Sequence, residues 1–152
     1  MGRLAMAILG DTADANDALQ EALTSMWTGL PSLRDPARFG VWSDRIVVNA
    51  CRLVLRRRVR SRVRQVSIGD VVGDRLESLE VPFDQRLADR LAVARAFDRL
   101  DADDRAVLAL HHLDERSIAQ IAAVLDIPAG TVKSRLHTAR RALERAMERE
   151  LR

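Results

Sequence analysis

SIAQIAAVLDIPAGTVKSRLHTARRAL, residues 117–143, is the stretch whose reading decides the fold. It reads as two helices joined by a tight turn. Ser117 opens it and Gln120 follows three residues on, the capping-box pattern that satisfies two backbone amides at a helix start. Ile118, Ile121, Ala122 and Leu125 recur at helical spacing and give the first helix one apolar face. Pro128 ends that helix, because proline lacks an amide hydrogen and disfavours helix in the residue before it. The second helix opens near Ala129, with Val132, Leu136, Ala139 and Leu143 inward and Lys133, Ser134, His137, Arg140 and Arg141 outward. An ordinary helical hairpin shares the two stripes and the turn. The capping box, the turn chemistry and the basic outer face together favour a helix-turn-helix, whose second helix enters the DNA major groove.

Composition sets the surroundings of this motif. The 152 residues leave room for one ordinary domain or two small ones. Hydrophobic residues make up 47%, enough for real cores, and no strand-like alternation persists, so the chain reads as all-α. Aromatics are 3% with no Tyr, which removes stacking on an aromatic platform as the dominant way to hold nucleotides. Net charge is +3, carried almost wholly by arginine, since Lys133 is the only lysine. Arginine's planar fork suits phosphates and guanine edges. The single cysteine, Cys51, precludes an intramolecular disulfide and reads as a small core residue in a protein of the reducing cytoplasm. The apolar patch at Leu4–Leu9 is too short for a signal peptide or a membrane span, so no membrane insertion is expected.

Upstream of the motif the charge is sharply divided. Arg3–Leu9 reads as the end of a helix stopped at Gly10, and Asp11 or Asp14 caps the next. Along that helix Ala15, Ala18, Leu19, Ala22, Leu23, Met26 and Trp27 are expected inward. After the loop LPSLRDPAR, residues 30–38, a long helix runs from about Arg38 to Arg62 on an inner stripe of Phe39, Trp42, Ile46, Ala50 and Leu53. Eight arginines and no acid lie between Arg45 and Arg64; Arg52, Arg56 and Arg60 align as a ridge able to follow a phosphate backbone. From Asp70 to Asp104 the balance reverses, ten acids against five arginines. Residues 66–84 read as a linker between two lobes with different tasks. Helix resumes near Asp84 with Leu87, Leu91, Ala94 and Phe97 inward, and Asp101 or Asp103 caps a helix from Ala102 to Leu113 with Val107, Leu110 and His111 inward. The expected fold is therefore two small helical domains joined by a flexible linker, the C-terminal one a four-helix domain containing the helix-turn-helix. Lobes of about 65 residues are marginal alone, so contacts between them, or with a partner, are expected to contribute.

Two blocks in this order resemble the extracytoplasmic-function group of bacterial sigma factors, the promoter-recognition subunits of RNA polymerase. GDTADANDALQEAL (10–23), Met26–Trp27, LPSLRDPARF (30–39), Trp42, IVVNACR (46–52) and the arginine run are similar to the family's second conserved region. LDADDRAVLALHHLDERSIAQIAAVLDIPAGTVKSRLHTARRAL (100–143) is similar to its fourth. The resemblance implies a region 2-like domain over 1–65, a linker over 66–84 and a region 4-like domain over 85–152. It also implies core RNA polymerase and promoter DNA as partners, an anti-sigma protein as a further one, and no cofactor. By position, polymerase docking falls to Asp14, Asp17, Gln20 and Glu21. Contacts to the opened minus-ten element fall to Arg34, Arg38, Trp42, Asn49, Arg52 and Arg56. Reading of the minus-thirty-five duplex falls to Thr131, Lys133, Ser134, Arg135, His137 and Arg141.

Several residues depart from the family pattern. Leu53 stands where an Asp is common, Ser43 and Asp44 replace an apolar and an aromatic residue, and Gln120 replaces a Glu. Asp126 stands for the turn's usual Gly, and Thr138 for a frequent Arg. An acid at position 44 would repel DNA phosphate unless it pairs with Arg45 or points away. Only nine residues precede Gly10 where the family has a longer helix, which implies either a start upstream or a shortened first helix.

Rival functions find less support. His111 and His112 beside Asp114 and Glu115 suggest a metal, but adjacent histidines point about 100° apart on a helix. No nucleotide-binding loop or nucleophile elbow is present, so the chain is not read as an enzyme. A regulator using only the helix-turn-helix leaves the N-terminal lobe without a task, and a truncated, inactive sigma relative is the other alternative.

Overall fold

The structure, a computed structural model, describes residues 1–65 and 85–150, with the backbone alone at 62–65, 85–90 and 150. The linker expected over 66–84 lies outside the described residues. All regular structure in the described residues is helical, as expected from the sequence. Helix α1 is Gly2–Leu9, α2 Thr12–Gly29, α3 Phe39–Gln65, α4 Gln85–Asp98, α5 Ala102–His112, α6 Ile118–Leu125 and α7 Ala129–Glu150, with short 3₁₀ turns at Leu30–Ser32 and Pro36–Arg38.

In the N-terminal lobe α1, α2 and α3 pack on one another. Gly10 takes the left-handed conformation (φ 70°) and its amide closes α1 onto the Met6 carbonyl. Asp11, of the two candidates, caps α2: its carboxylate accepts from the Asp14 amide at 2.9 Å. Helix α2 buries Ala15, Ala18, Ala22 and Met26. Leu23 and Trp27, expected inward, are instead 58% and 82% exposed. Each follows a buried residue by one position, which rotates it about 100° out of the buried stripe.

The inner stripe expected on α3 is also corrected. Its buried residues are Ser43, Asp44, Val47, Val48, Ala50, Cys51 and Val54, while Phe39 is exposed and Trp42 and Ile46 lie at the margin of the core. The reason is that α3 is packed from two sides, by α1 and α2 and by α6. A two-sided helix buries a wider sector than a one-stripe reading assigns. Cys51 lies wholly within this core, where burial pushes its thiol up to about 12, so it is an inert packing residue.

The C-terminal lobe is α4 to α7. Helix α4 rests on α7 and buries Ala96, with Leu100 just beyond its end also buried. Leu91 and Ala94, expected inward, are exposed, Phe97 packs at the core margin, and the side chain of Leu87 lies outside the description. Asp101 caps α5 by accepting from the Asp104 amide at 2.8 Å, and Val107 and Leu110 are fully buried. His111 is half-buried with Nδ1 3.3 Å from the Arg116 carbonyl oxygen.

The stretch 117–143 folds as its sequence reads. Ser117 Oγ accepts from the Gln120 amide at 3.2 Å and Gln120 Oε1 from the Ser117 amide at 2.9 Å, so the capping box is complete. Asp126 adopts the left-handed turn (φ 58°, ψ 48°) that a Gly would take without cost. Ile121, Leu125, Val132, Leu136 and Ala139 are buried, and Val124 joins them.

The lobes close on each other and share one apolar core, with α1 against α5 and α3 against α6. Gly10 meets α4 and α5 at close range: a Cβ there would lie 2.7 Å from Asp98 Oδ1 and 3.3 Å from the Arg105 guanidinium. Asp44, which the sequence leaves to pair with Arg45 or point away, is buried and receives Arg116 Nε at 2.7 Å from the opposite lobe. Arg45 is paired with Asp126 instead, at 3.2 Å. Arg116 reaches Asp44 because Glu115 turns the chain through a left-handed conformation (φ 51°) and because Gly40 leaves open the space the guanidinium fills. A Cβ on Gly40 would come within 2.8 Å of Arg116 Nη2.

Burial raises the Asp44 pKa above its ordinary 3.8, and the Arg116 hydrogen bond and charge oppose that rise without cancelling it. A raised carboxyl pKa favours the folded state at low pH, and that contribution is lost as pH climbs through the folded value. Arg116→Gln removes the opposing cation and leaves a buried carboxylate uncompensated. It should therefore lose stability relative to the parent chain as pH rises from about 4 to 7, reaching about 3–5 kcal/mol at neutrality. Denaturant titrations at several pH values measure this, and adding Asp44→Asn should recover most of the loss. Ser117→Ala should cost about 1 kcal/mol through the lost cap, read from the same titrations at pH 7.

Candidate nucleic-acid interface

The outer face of α7 is built by its inner one. Val132, Leu136 and Ala139 are drawn into the core, so helical spacing turns Lys133, Ser134, His137, Thr138, Arg140 and Arg141 to solvent. Ser134 Oγ donates to the Thr131 carbonyl oxygen at 3.0 Å, which fixes its rotamer while its lone pairs stay open. Thr131 is partly exposed in the first turn, where the amide ends of the helix favour an anion. Arg135 stands apart: it is partly buried and its Nη1 lies 3.2 Å from Asp103 Oδ2. Five of the six residues expected to read duplex thus sit on or beside one open face, and Arg135 is held against α5.

A second basic region surrounds the start of α3. A cleft of about 980 Å³ opens between the two 3₁₀ turns, the first turns of α3 and the outer side of α6. Leu33, Val41 and Trp42 give it an apolar floor, and Arg34, Arg38 and Arg45 ring it. Trp42 is held by Phe39, with ring centroids 5.8 Å apart, and by the bare Cα of Gly29, where a Cβ would be 3.2 Å from the indole. Ala119, Gln120 and Ala123 of α6 close the far side, a contribution from the other lobe that sequence spacing does not reveal. Arg38 also contacts Asp35 at 3.6 Å, both largely exposed.

Farther along α3 the expected arginine ridge is only partly free. Arg52 Nη2 donates to Asp103 Oδ1 at 3.1 Å, Asn49 is exposed beside it, and Arg56 and Arg60 are open to solvent. Arg58 turns the other way, its Nε 2.7 Å from Asp14 Oδ2. That contact lacks hydrogen-bond alignment and acts as a charge pair. So Asp14, expected in the docking set, is engaged within the lobe. Asp17, Gln20 and Glu21 are exposed on the outer face of α2. Trp27 and Leu23 extend that face with a large apolar surface, and Leu30 stands exposed just past the helix end. The signal that identifies Trp27 as outward is the buried Met26 beside it, which no single-helix pattern separates from its neighbour.

No helix among the described residues is long and apolar enough to cross a membrane, and none of their His, Cys, Asp and Glu form a group of three able to hold a metal. His111 and His112 stack edge to face at 4.7 Å, and burial together with the charge of His111 and Arg140 lowers the His112 pKa.

Comparison with known proteins matches both halves of this arrangement. Residues 2–61 match Sigma-70 region 2, and residues 90–143 match Sigma-70, region 4. The chain is 37% identical over 145 residues to ECF RNA polymerase sigma factor SigM of Mycobacterium tuberculosis, spanning 95% of this chain and 70% of that one. It is 32% identical over 144 residues to the ECF RNA polymerase sigma-E factor of Escherichia coli, spanning 90% and 75% respectively. Its fold is similar to that of the sigma factor RpoE solved with the anti-sigma factor NepR from Bartonella quintana, with TM-score 0.75 and 21% identity over 97% of this chain and 89% of that one. It is also similar to CnrH solved with the cytosolic domain of CnrY, with TM-score 0.64 and 23% identity over 97% and 79%. With both conserved regions in order and these relatives matched along nearly its whole length, the chain belongs to the extracytoplasmic-function (ECF) family of RNA polymerase sigma factors.

Proposed function

We propose that this protein binds core RNA polymerase and directs promoter-specific initiation, without catalysing a reaction itself, in the cytoplasm. One observation carries this reading: a single chain presents two unlike exposed faces, the basic face of α7 and the acidic–aromatic face of α2. A DNA reader needs only the first of these.

The roles divide by lobe. Residues 85–152 form the region 4-like domain, whose α7 enters the major groove of the minus-thirty-five element through Lys133, Ser134, His137 and Arg141, with Thr131 near a phosphate and Arg135 joining once released from Asp103. Residues 1–65 form the region 2-like domain, joined through 66–84. Its docking face comprises Asp17, Gln20 and Glu21, with Asp14 at the edge and Trp27 as an aromatic anchor of the kind that dominates interface energetics. The Trp42 cleft suits an unstacked base of the minus-ten strand: an apolar floor takes the ring and Arg34 and Arg38 take the phosphates, offsetting an unstacking cost of a few kcal/mol. Asn49, Arg52 and Arg56 continue the track along α3. The solved relatives sit in complexes with the anti-sigma factor NepR and with the cytosolic domain of CnrY, and this chain is proposed to take an inhibitory partner of that kind.

Reconstitution tests the reading. The purified chain added to core polymerase should co-purify with it and support run-off transcription from a cognate promoter; absence of both refutes the proposal. Asp17→Arg and Trp27→Ala should each weaken polymerase binding, Trp27→Ala by about 2 kcal/mol. Lys133→Ala should weaken promoter binding by about 1–3 kcal/mol and leave polymerase binding unchanged.

A further inference from the structure

Ser134 is an exposed residue of α7 whose hydrogen-bonding role is decided by its own helix. Its hydroxyl donates to the Thr131 carbonyl oxygen at 3.0 Å, a bond within one turn that docking does not have to break. A serine hydroxyl carries one hydrogen and two lone pairs. With the hydrogen committed, Ser134 offers a partner lone pairs alone. Lys133 beside it is the opposite case, with donors and no acceptor.

That difference sorts what each side chain can touch on duplex DNA. Phosphate oxygens only accept, so Ser134 has nothing to give them, whereas Lys133 does. In the major groove the base donors are the exocyclic amino groups, N6 of adenine and N4 of cytosine, while guanine and thymine present acceptors. A lone pair held at Ser134 is met by the amino group of adenine or cytosine. It is repelled by O6 of guanine and O4 of thymine.

The approach to this hydroxyl is clear. A helical side chain leans toward the N-terminus, so Ser134 lies over the turn that begins with Gly130. A Cβ on Gly130 would meet nothing within 4 Å, and the residue does not take the left-handed conformation that Gly10 takes. Neither packing nor backbone geometry asks for glycine there, and glycine is among the poorest residues for a helix. The bare turn serves a surface that arrives from outside the chain.

We propose that Ser134 is an acceptor-only reader of one base of the minus-thirty-five duplex. It selects adenine or cytosine on the strand it faces by the exocyclic amino group, and Gly130 keeps the turn beneath it open to the base edge. The proposal rests on the sigma-factor reading, which puts α7 in the major groove. It adds the chemical class of base and the atom that recognises it.

The test starts with the full chain reconstituted with core polymerase, used to select bound duplexes from a library with a randomised block. Ser134→Ala, an exposed change that leaves the core untouched, goes through the same selection. The variant should lose base preference at one position. There the amino-bearing base of the selected duplex is replaced by its analogue without the amino group, purine for adenine or 2-pyrimidinone for cytosine. The parent should bind the analogue duplex about tenfold more weakly, within the range that one mismatched base pair costs. Ser134→Ala should bind the two duplexes almost equally, so that the two deletions are coupled. Gly130→Leu should melt no lower than the parent and lose the same discrimination. An unchanged selection in Ser134→Ala overturns the proposal, as does an equal loss on the analogue duplex in parent and variant. Discrimination kept in Gly130→Leu overturns the part given to Gly130. Failure of this inference alone leaves core binding and a selected sequence in place. Failure of the sigma-factor reading shows as a parent chain that neither binds core nor selects any sequence, and it overturns both.

Discussion

The Asp44–Arg116 pair is the constraint on which the described structure depends. A carboxylate buried in the second turn of α3 is costly, and here a cation from outside that helix, Arg116, meets it. Meeting it fixes three other things. Gly40 must lack a side chain, Glu115 must turn left-handed, and the α5–α6 connection must lie against the first turns of α3. Burial still outweighs Arg116 in setting the Asp44 pKa, so the pair contributes more to register between the lobes than to raw stability. The apolar contacts of α1 with α5 and of α3 with α6 supply the driving force, and the ion pair selects one way of making them.

That geometry explains the departure at positions 43 and 44 from the family's pattern. Ser43 is buried with its hydroxyl donating to the Gly40 carbonyl, and Asp44 faces away from the basic surface toward Arg116. Neither residue sits where DNA phosphate would approach from the arginine-lined side. The acid that looks misplaced on a basic helix is a lobe–lobe contact. The same logic accounts for Arg45, Arg52 and Arg135, whose partners all come from across that boundary or from α5. The charge division seen along the sequence, a basic α3 followed by an acidic stretch, is joined across the lobes at Arg52–Asp103.

Much of the architecture was legible in the residues. The capping box at Ser117, the end before Pro128, the left-handed Asp126 and the inner residues of α7 are local matters, settled by hydrogen bonds and spacing within a few residues. The misreadings share one cause. Helices α2, α3 and α4 contain more apolar positions than one face can bury, and periodicity alone does not say which sector faces the core. On α2 the small residues Ala15, Ala18 and Ala22 win because α1 and α3 approach closely, and Leu23 and Trp27 are left outside. On α3 a second neighbour, α6, moves the buried sector toward Val47, Val48 and Cys51.

The sequence by itself determined the helices, their caps, the helix-turn-helix and the family, because each depends on short-range spacing and on motifs readable in order. Which arginines are open and which are held, where Trp27 and Trp42 point, and that one aspartate joins two arginines from different lobes were decided only by the tertiary structure. Such contacts link residues tens of positions apart, as with Asp44 and Arg116 or Arg52 and Asp103. They exist because two marginal helical lobes bury more apolar surface together than either can alone, and closing that surface brings particular charges face to face.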